Sequence, residues 1–577
     1  MNKKREIKFE YNVPLQMRDG TILRADVYRP ADEKRYPALL LRSPYLKKNM
    51  KRYLDPNRMA LAGYGVVIQD CRGTGESDGH FEPFIHEFED GYDTVEQVAR
   101  LPWCDGQVGM YGISYFGFTQ LAAASMQPPS LKTICPGQVA ARWLPPCRNG
   151  IWSLQANLAW YLNQALNAVM RSKMTEEKKR GLLNQIGQSM DHLEEQLWFL
   201  PLKDVPAAHI EDVPLSPFYL EQLKHVADEE YWRNKGVPIP FHKIAIPALH
   251  LSGWYDFMLD GVLDNYVGLR NGAATSLARE NQKLIIGPWA HGSEMLSTVG
   301  ELDFGLSSSG NAIDVTGIHL RWFDYWLKGK NNGIMQEPPV RLFVTGENRW
   351  RDENEWPLSR AKLTKYYLHS DGQANRRLES GFLNQNRPEE ECADHFLYDP
   401  KHPLPSTLRV PPTARYAGLL QDHQELEQRE DVLVYTSNVL HKDLEVTGPI
   451  EVRLWISSSV PDTDFMAKLL DVWPDGRVYN LTDGMTRVRF RESLSAPKLL
   501  NPGEVVELKL DLGAVAHVFK AGHRIRLHIS SSHFPRYDRN LNTGHPIGED
   551  GEMKVAFQSV YHDREHPSHL LLPIIPR

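Results

Sequence analysis

The stretch Val108-Gly109-Met110-Tyr111-Gly112-Ile113-Ser114-Tyr115-Phe116-Gly117-Phe118 decides the fold. Val108–Gly112 reads as a short buried strand, and Tyr115–Gln127 as an Ala-rich helix stopped by Pro128-Pro129. A serine between the two projects its hydroxyl from a sharp strand-to-helix turn. Small residues nearby relieve crowding, and the helix N-terminus lends partial positive charge to an anion forming there. Two other serines compete on pattern alone. Ser77 has the strict G-x-S-x-G spacing in Gly75-Glu76-Ser77-Asp78-Gly79, and Ser307 shares the looser G-x-S-x-x-G spacing of Ser114. Pro83 argues against a helix after Ser77, and Ser307 sits in a Gly/Ser-rich loop, so both read as turn residues. Ser114 is the candidate nucleophile.

Outward from this bend, strands and helices alternate. Ile7–Val13 and Ile22–Tyr28 are β-rich around a turn at Asp19-Gly20. Pro37–Leu41 and Gly65–Ile68 are continuous apolar runs, suited to strands buried on both faces. Asp90–Arg100 has helical spacing, with Tyr92, Val95 and Val98 inward. From about 146 the pattern changes: Trp152–Met170 and Thr175–Leu200 are long helical stretches with no strand between them. Alternation resumes with Ile244–Leu251, Asp260–Arg270 and Lys283–Ile286. Beyond about 358, segments such as Ile450–Ile456, Val505–Leu512 and Ile525–Ser530 are divided by turns at Pro474-Asp475-Gly476 and Pro502-Gly503. The expected organisation is an α/β core in two parts, 1–145 and 241–357, split by a helical insertion at 146–240 and followed by an all-β domain at 358–577.

Length and composition set outer limits. A chain of 577 residues suggests about three domains. A net charge of -7 offers no attraction to polyanions, so nucleic acid is not an expected partner. No stretch reaches the ~18 apolar residues of a membrane span. The opening MNKKREIKFEYNVP has no apolar run after its basic residues, which reads as no signal peptide. Cys71, Cys104, Cys135, Cys147 and Cys392 are scattered, odd in number and without a CxxC pair, which suits a reducing cytoplasm. No metal-ligand cluster, phosphate loop or nucleotide fingerprint is legible, and acyl transfer by a serine needs no cofactor. A homo-oligomer is left open.

A serine hydroxyl needs a base, and histidine suits that role because it titrates near neutrality. Of 22 histidines, His291 follows Lys283–Ile286 and the turn Gly287-Pro288. Asp256 follows Ala248–Leu251 and the loop Ser252-Gly253-Trp254-Tyr255. Both lie just beyond the C-terminal ends of strands, where ligands bind in such sheets. The order serine, aspartate, histidine is the one an α/β-hydrolase uses. Asp260 is the rival acid, read as facing solvent or capping a helix. The backbone N–H of Tyr115 is one candidate oxyanion donor. The loop Arg42-Ser43-Pro44-Tyr45 offers a second in the Tyr45 phenol, since Pro44 has no N–H. Aromatic residues crowd the expected mouth: Tyr45, Phe116, Trp254, Tyr255, Phe257 and Trp289, with Trp152, Trp160 and Tyr161 hanging from the insertion.

These residues resemble a known family. The runs RSPY (42–45), QDCRGTGESDG (69–79), GISYFG (112–117), GWYD (253–256) and GPWAH (287–291) are similar to the CocE/NonD hydrolases. That family includes bacterial cocaine esterases, α-amino-acid ester hydrolases, glutaryl-cephalosporin acylases and X-Pro dipeptidyl-peptidases. Residues 440–545 resemble its C-terminal domain. The resemblance implies an α/β-hydrolase core with an inserted helical cap and a C-terminal β jelly roll of galactose-binding type. It implies Ser114 as nucleophile, Asp256 as acid and His291 as base, with Tyr45 and Tyr115 as oxyanion donors. Pro403–Leu408 lacks the Gly-Gly pair that members often carry there. The expected activity is cleavage of a small ester or amide through an acyl-enzyme. An X-Pro dipeptidyl-peptidase, which needs a site for a free amino group, is the alternative; a carbohydrate-binding protein with a vestigial triad is a remote one.

Overall fold

The computed structural model describes residues 6–50, 53–141, 147–148, 150–213, 216–406 and 420–576. Ten strands make the first sheet: β1 (Ile7–Gln16), β2 (Ile22–Pro30), β3 (Tyr36–Ser43), β4 (Gly65–Asp70), β5 (Cys104–Ile113), β6 (Leu131–Gly137), β7 (Ala248–Tyr255), β8 (Gln282–Ala290), β9 (Val340–Val344) and β10 (Arg349–Glu353). Their spatial order is β1-β2-β4-β3-β5-β6-β7-β8-β9-β10. From β4 to β9 every pairing is parallel, and antiparallel strands close both edges. β3, β4, β7 and β8 are buried along their whole lengths, as their unbroken apolar runs require. This is an α/β-hydrolase core.

Helices cover both faces. Helix Glu87–Ala99 buries Thr94, Val95 and Val98 against the sheet. Tyr92, expected inward, is half-buried, with the Arg18 guanidinium over its ring. Strands β6, β9 and β10 and helix Val315–Lys328 add to the elements read from sequence. Among the described residues, no helix is long and apolar enough to cross a membrane.

Between β6 and β7 the chain forms helices Leu154–Arg171, Glu176–Asp191, Leu193–Trp198, Ser216–Lys224 and Glu229–Asn234 around an apolar core that Phe81 and Tyr115 of the α/β core and Phe534 of the β domain also enter. Trp152, expected to open the first of these helices, lies instead in a two-stranded ribbon before it. An eleven-stranded, largely antiparallel sheet system fills Lys362–Ile575 and packs its inner positions into a core of Leu, Ile, Val and Phe.

The three layers are tied by buried polar contacts. Asp538 of the β domain accepts from the Trp152 N–H at 2.8 Å, and its own N–H donates to the Trp152 carbonyl at 2.9 Å. Arg487 holds the Asp538 carboxylate at 3.0 Å and Asp464 at 2.9 Å, with all three groups buried. At the end of β9, Thr345 exchanges backbone hydrogen bonds with Ala516 and Val518 of a β-domain strand. The β domain is therefore fixed against both the core and the helices, and it helps to wall the space above Ser114.

Candidate active site

Ser114 stands at the junction of β5 and helix Tyr115–Ser125, with φ 55° and ψ −130°. A non-glycine residue held there is strained, and the surroundings must over-determine it. They do so by close packing. A Cβ on Gly112 would lie 2.3 Å from the Phe116 ring, and one on Gly117 would lie 2.8 Å from the Gly137 carbonyl. The Ser114 N–H donates to the Gly137 carbonyl at 3.0 Å, which pins the bend to β6. The hydroxyl is thereby turned away from the sheet.

Asp256 directly follows β7 and His291 directly follows β8. The two strands are parallel neighbours, so their ends converge. His291 Nδ1 lies 2.8 Å from Asp256 Oδ1. The same oxygen accepts from the Met258 N–H at 3.0 Å, and Oδ2 accepts from the Ser252 hydroxyl at 2.9 Å. Asp256 is buried, and His291 packs on the Phe257 ring with centroids 4.5 Å apart. Asp260 sits in the first turn of helix Leu259–Gly272, beyond this pair.

The Tyr45 oxygen accepts from the Trp160 indole N–H at 3.0 Å. An indole can only donate, so the proton Tyr45 itself carries is directed to another acceptor. Tyr115 is the first residue of its helix, so its N–H has no acceptor within that helix. Its side chain points below the site: the phenol donates to Glu87 at 3.0 Å and accepts from the Phe84 N–H at 2.8 Å. Glu87 is paired with buried Arg42 at 2.9 Å. Burial, reinforced by the Glu87 charge, pushes the Tyr115 phenol far above its ordinary range and keeps it protonated.

Ser114, His291, Tyr45, Tyr115, Phe116, Phe257 and Trp160 all line one cavity of about 710 Å³. That is ample for a drug-sized ligand. Ser77 is elsewhere. It is buried, donates to the Asp70 carbonyl at 2.7 Å and accepts from the Arg24 N–H at 2.9 Å. Ser307 lies exposed in a short helical turn, away from the cavity.

Comparison with known proteins identifies the family. Residues 19–293 match the family model for the X-Pro dipeptidyl-peptidase (S15 family), and residues 332–571 match that for the X-Pro dipeptidyl-peptidase C-terminal non-catalytic domain. A cocaine esterase of Rhodococcus sp. (strain MB1 Bresler) is 36% identical, the alignment covering 98% of each chain. The chain belongs to the CocE/S15 hydrolase family. Solved structures share the fold: an aminopeptidase from a marine sediment Thaumarchaeota archaeon superposes with a TM-score of 0.84 at 24% identity, covering 99% of this chain and 97% of that one. An α-amino acid ester hydrolase does so with 0.81 at 24%, covering 100% and 97%.

Within this CocE/S15 chain three expected tryptophans are not at the cavity. Trp152 is fully buried, its ring edge-on to Tyr219 at 5.6 Å, because its backbone is clamped to Asp538. Trp254 points to the opposite side of β7, donates to the Phe343 carbonyl at 2.7 Å and packs on Trp356. Trp289 is fully buried over glycines 253 and 287 and donates to the Ser308 carbonyl at 2.9 Å. Tyr255 and Tyr161 are likewise core residues, stacked on Phe304 and tilted against Tyr219. Pro403–Ser406 is described and Ser406 lines the cavity, while Thr407-Leu408 lies outside the described residues.

Other wall residues escaped the sequence reading. Ala156, Asn163, Asn167 and Met170 share one face of helix Leu154–Arg171 with Trp160, which the sequence reading did name. Their spacing of three and four was legible once Trp160 was placed. His423, Asn480, Asp483, His533 and Arg536 reach the cavity from the β domain, and no local pattern announces them.

Proposed function

We propose that this chain is an acyl esterase in which Ser114 is the nucleophile, His291 the general base and Asp256 its orienting acid. One observation carries the reading: the hydroxyl on the strained bend and the imidazole bonded to Asp256 open into the same cavity. Ser114 Oγ attacks the carbonyl carbon while His291 Nε2 takes its proton. The carbonyl oxygen becomes negative and is met by the Tyr115 N–H and the Tyr45 hydroxyl. Collapse expels the alcohol, which leaves with the proton from His291, and the acyl group remains on Ser114. Water then attacks the acyl-enzyme and gives its proton to His291; the bond from Ser114 Oγ to the acyl carbon breaks, Oγ takes that proton back, and the acid departs.

Tyr45→Phe removes one oxyanion donor without emptying the space. It is expected to lower kcat by roughly 10²–10³-fold, with KM changed far less. Steady-state kinetics on phenyl butyrate checks this; a kcat within threefold of wild type would remove Tyr45 from the mechanism.

Apolar side chains, among them Phe116, Phe118, Val139, Leu166 and Phe257, make up much of the lining. Among the described lining residues the one carboxylate is Asp483, and it is bonded to Arg536 at 3.0 and 3.2 Å. A free ammonium brought here would lose its water without gaining a dedicated anion, which is costly. This supports an ester with apolar groups beside the scissile bond over a dipeptide with a free N-terminus. The likeness to a cocaine esterase supports the same side. The test compares phenyl butyrate with an Ala-Pro anilide. The ester is expected to lead in kcat/KM by roughly a hundredfold or more; parity, or a lead for the anilide, would make the chain a dipeptidyl-peptidase.

The same reading assigns 1–145 and 241–357 to the catalytic core, 146–240 to the cap and 358–577 to the jelly roll. Contacts within the helical core around Trp152 and Tyr219 support the cap as a unit, although 145 and 146 lie outside the described residues. Four described cysteines carry free thiols, three of them buried, which supports a cytoplasmic site of action.

A further inference from the structure

We propose that Trp160, on the first helix of the cap, is a positioning residue for the oxyanion hole: its indole N–H sets the direction in which the Tyr45 hydroxyl gives its proton. The inference rests on the esterase reading above, in which Tyr45 meets the carbonyl oxygen.

Tyr45 reaches the site from the loop after β3. Its ring stands edge-on to those of Tyr115 and Phe116, the residues that follow Ser114, with centroids 6.3 Å away in each case. The phenol thus packs on the first turn of the nucleophile helix. A phenol alone does not fix which way its proton points, since the O–H turns to suit its partners. The Trp160 N–H, 3.0 Å from the oxygen, does fix it. An indole can only donate, so it occupies one lone pair of Tyr45 and the O–H must turn away from Trp160. An oxygen that accepts a hydrogen bond also becomes a stronger donor, by about 10–30%. Both effects count most in the transition state, where charge appears on the carbonyl oxygen.

The indole is itself held in place. Its ring is parallel to that of Tyr115 within 13° and to that of Phe84 within 19°, with centroids 6.4 Å away in each case. Phe218 of the cap tilts against it at 6.2 Å. At the other end of the same helix, Arg171 donates to the Gly75 carbonyl at 2.9 Å and to the Ser77 carbonyl. That loop leads back to Tyr45. Buried Asp70 accepts from the Glu76 N–H at 3.0 Å and from the Lys47 N–H, just after Tyr45, at 2.6 Å. The cap helix and the Tyr45 loop are therefore joined twice, through Trp160 at the cavity and through Arg171 and Asp70 behind it. The oxyanion donor of the core is completed by the seating of the cap.

The experiment uses the full chain and a double-mutant cycle on phenyl butyrate. Trp160→Phe keeps a flat ring in the stack and removes the N–H. Rates are taken per site titrated with a fluorophosphonate, so unfolded protein does not count. Trp160→Phe is expected to lower kcat roughly 3- to 10-fold, the worth of one neutral hydrogen bond. In the Tyr45→Phe background the same change should leave kcat almost unaltered, because the group through which Trp160 acts is gone. A residue that only lines the cavity would act on KM, and equally in both backgrounds. Butylboronic acid gives a second readout without turnover. Ser114 Oγ adds to its boron, the proton passes to His291, and a boron-bound oxygen of the tetrahedral adduct takes the place of the oxyanion. Its inhibition constant should rise in Trp160→Phe by a factor similar to the loss of kcat, and should not change further when Trp160→Phe is added to Tyr45→Phe. Wild-type kcat in Trp160→Phe, or an equal loss in both backgrounds, overturns the inference and leaves the esterase reading standing. A Tyr45→Phe variant within threefold of wild type removes the phenol from the mechanism and the inference with it.

Discussion

Ser114→Ala is expected to lower kcat on phenyl butyrate by roughly 10⁴–10⁶-fold, because nucleophile, base and acid act as one unit. Folding should be nearly untouched. The serine hydroxyl makes no capping hydrogen bond to its helix, and the positive φ is imposed by packing at Gly112 and Gly117. Alanine inherits the same backbone at similar cost. Ser77→Ala should behave in the opposite way. Its fully buried hydroxyl bridges the Asp70 carbonyl and the Arg24 N–H, so its loss costs about 1–3 kcal/mol of stability. Turnover per folded molecule should stay near wild type. Thermal melts and initial rates on both variants separate the two serines. If Ser114→Ala keeps a tenth of wild-type turnover, the nucleophile lies elsewhere.

The contrast between these serines shows what is legible in a sequence. The strict pattern falls on Ser77 and the looser one on Ser114, yet only Ser114 has a strand before it and a helix after it. Local propensity decided between them. Asp256 and His291 were also readable, because each directly follows a strand of the parallel block. Which aromatic side chains enter the cavity was not readable. β7 and β8 are buried on both faces, so polarity does not alternate along them and the inward face cannot be inferred. Trp254 and Trp289 pack into the cores on the two faces of the sheet and not into the cavity. The β-domain part of the wall was hidden by a different cause. His423, Asp483 and His533 come from three segments of a separate domain, and only the packing of that domain on the core brings them to the cavity that Ser114 lines. Strand β6 escaped because Leu131–Gly137 is interrupted by Lys132 and Pro136, which blur an apolar run.

Removal of the acid should separate two things that Asp256 does. Asp256→Ala is expected to lower kcat by roughly 10⁴-fold, since the imidazole then loses both its orientation and the charge that stabilises its protonated form. Asp256→Asn should cost less, for a reason local to this chain. The Met258 N–H donates to the oxygen that also receives His291 Nδ1. An amide at this position would turn its own oxygen to that place and its NH₂ towards Ser252, whose hydroxyl can accept as well as donate. The imidazole would keep its Nδ1–H, and only the negative charge would be missing. Kinetics of both variants on phenyl butyrate tests this ranking. An asparagine variant as slow as the alanine one would mean that the amide has flipped and the Met258 N–H does not set its orientation. Wild-type rates in either variant would mean that the 2.8 Å contact between Asp256 and His291 has no part in catalysis.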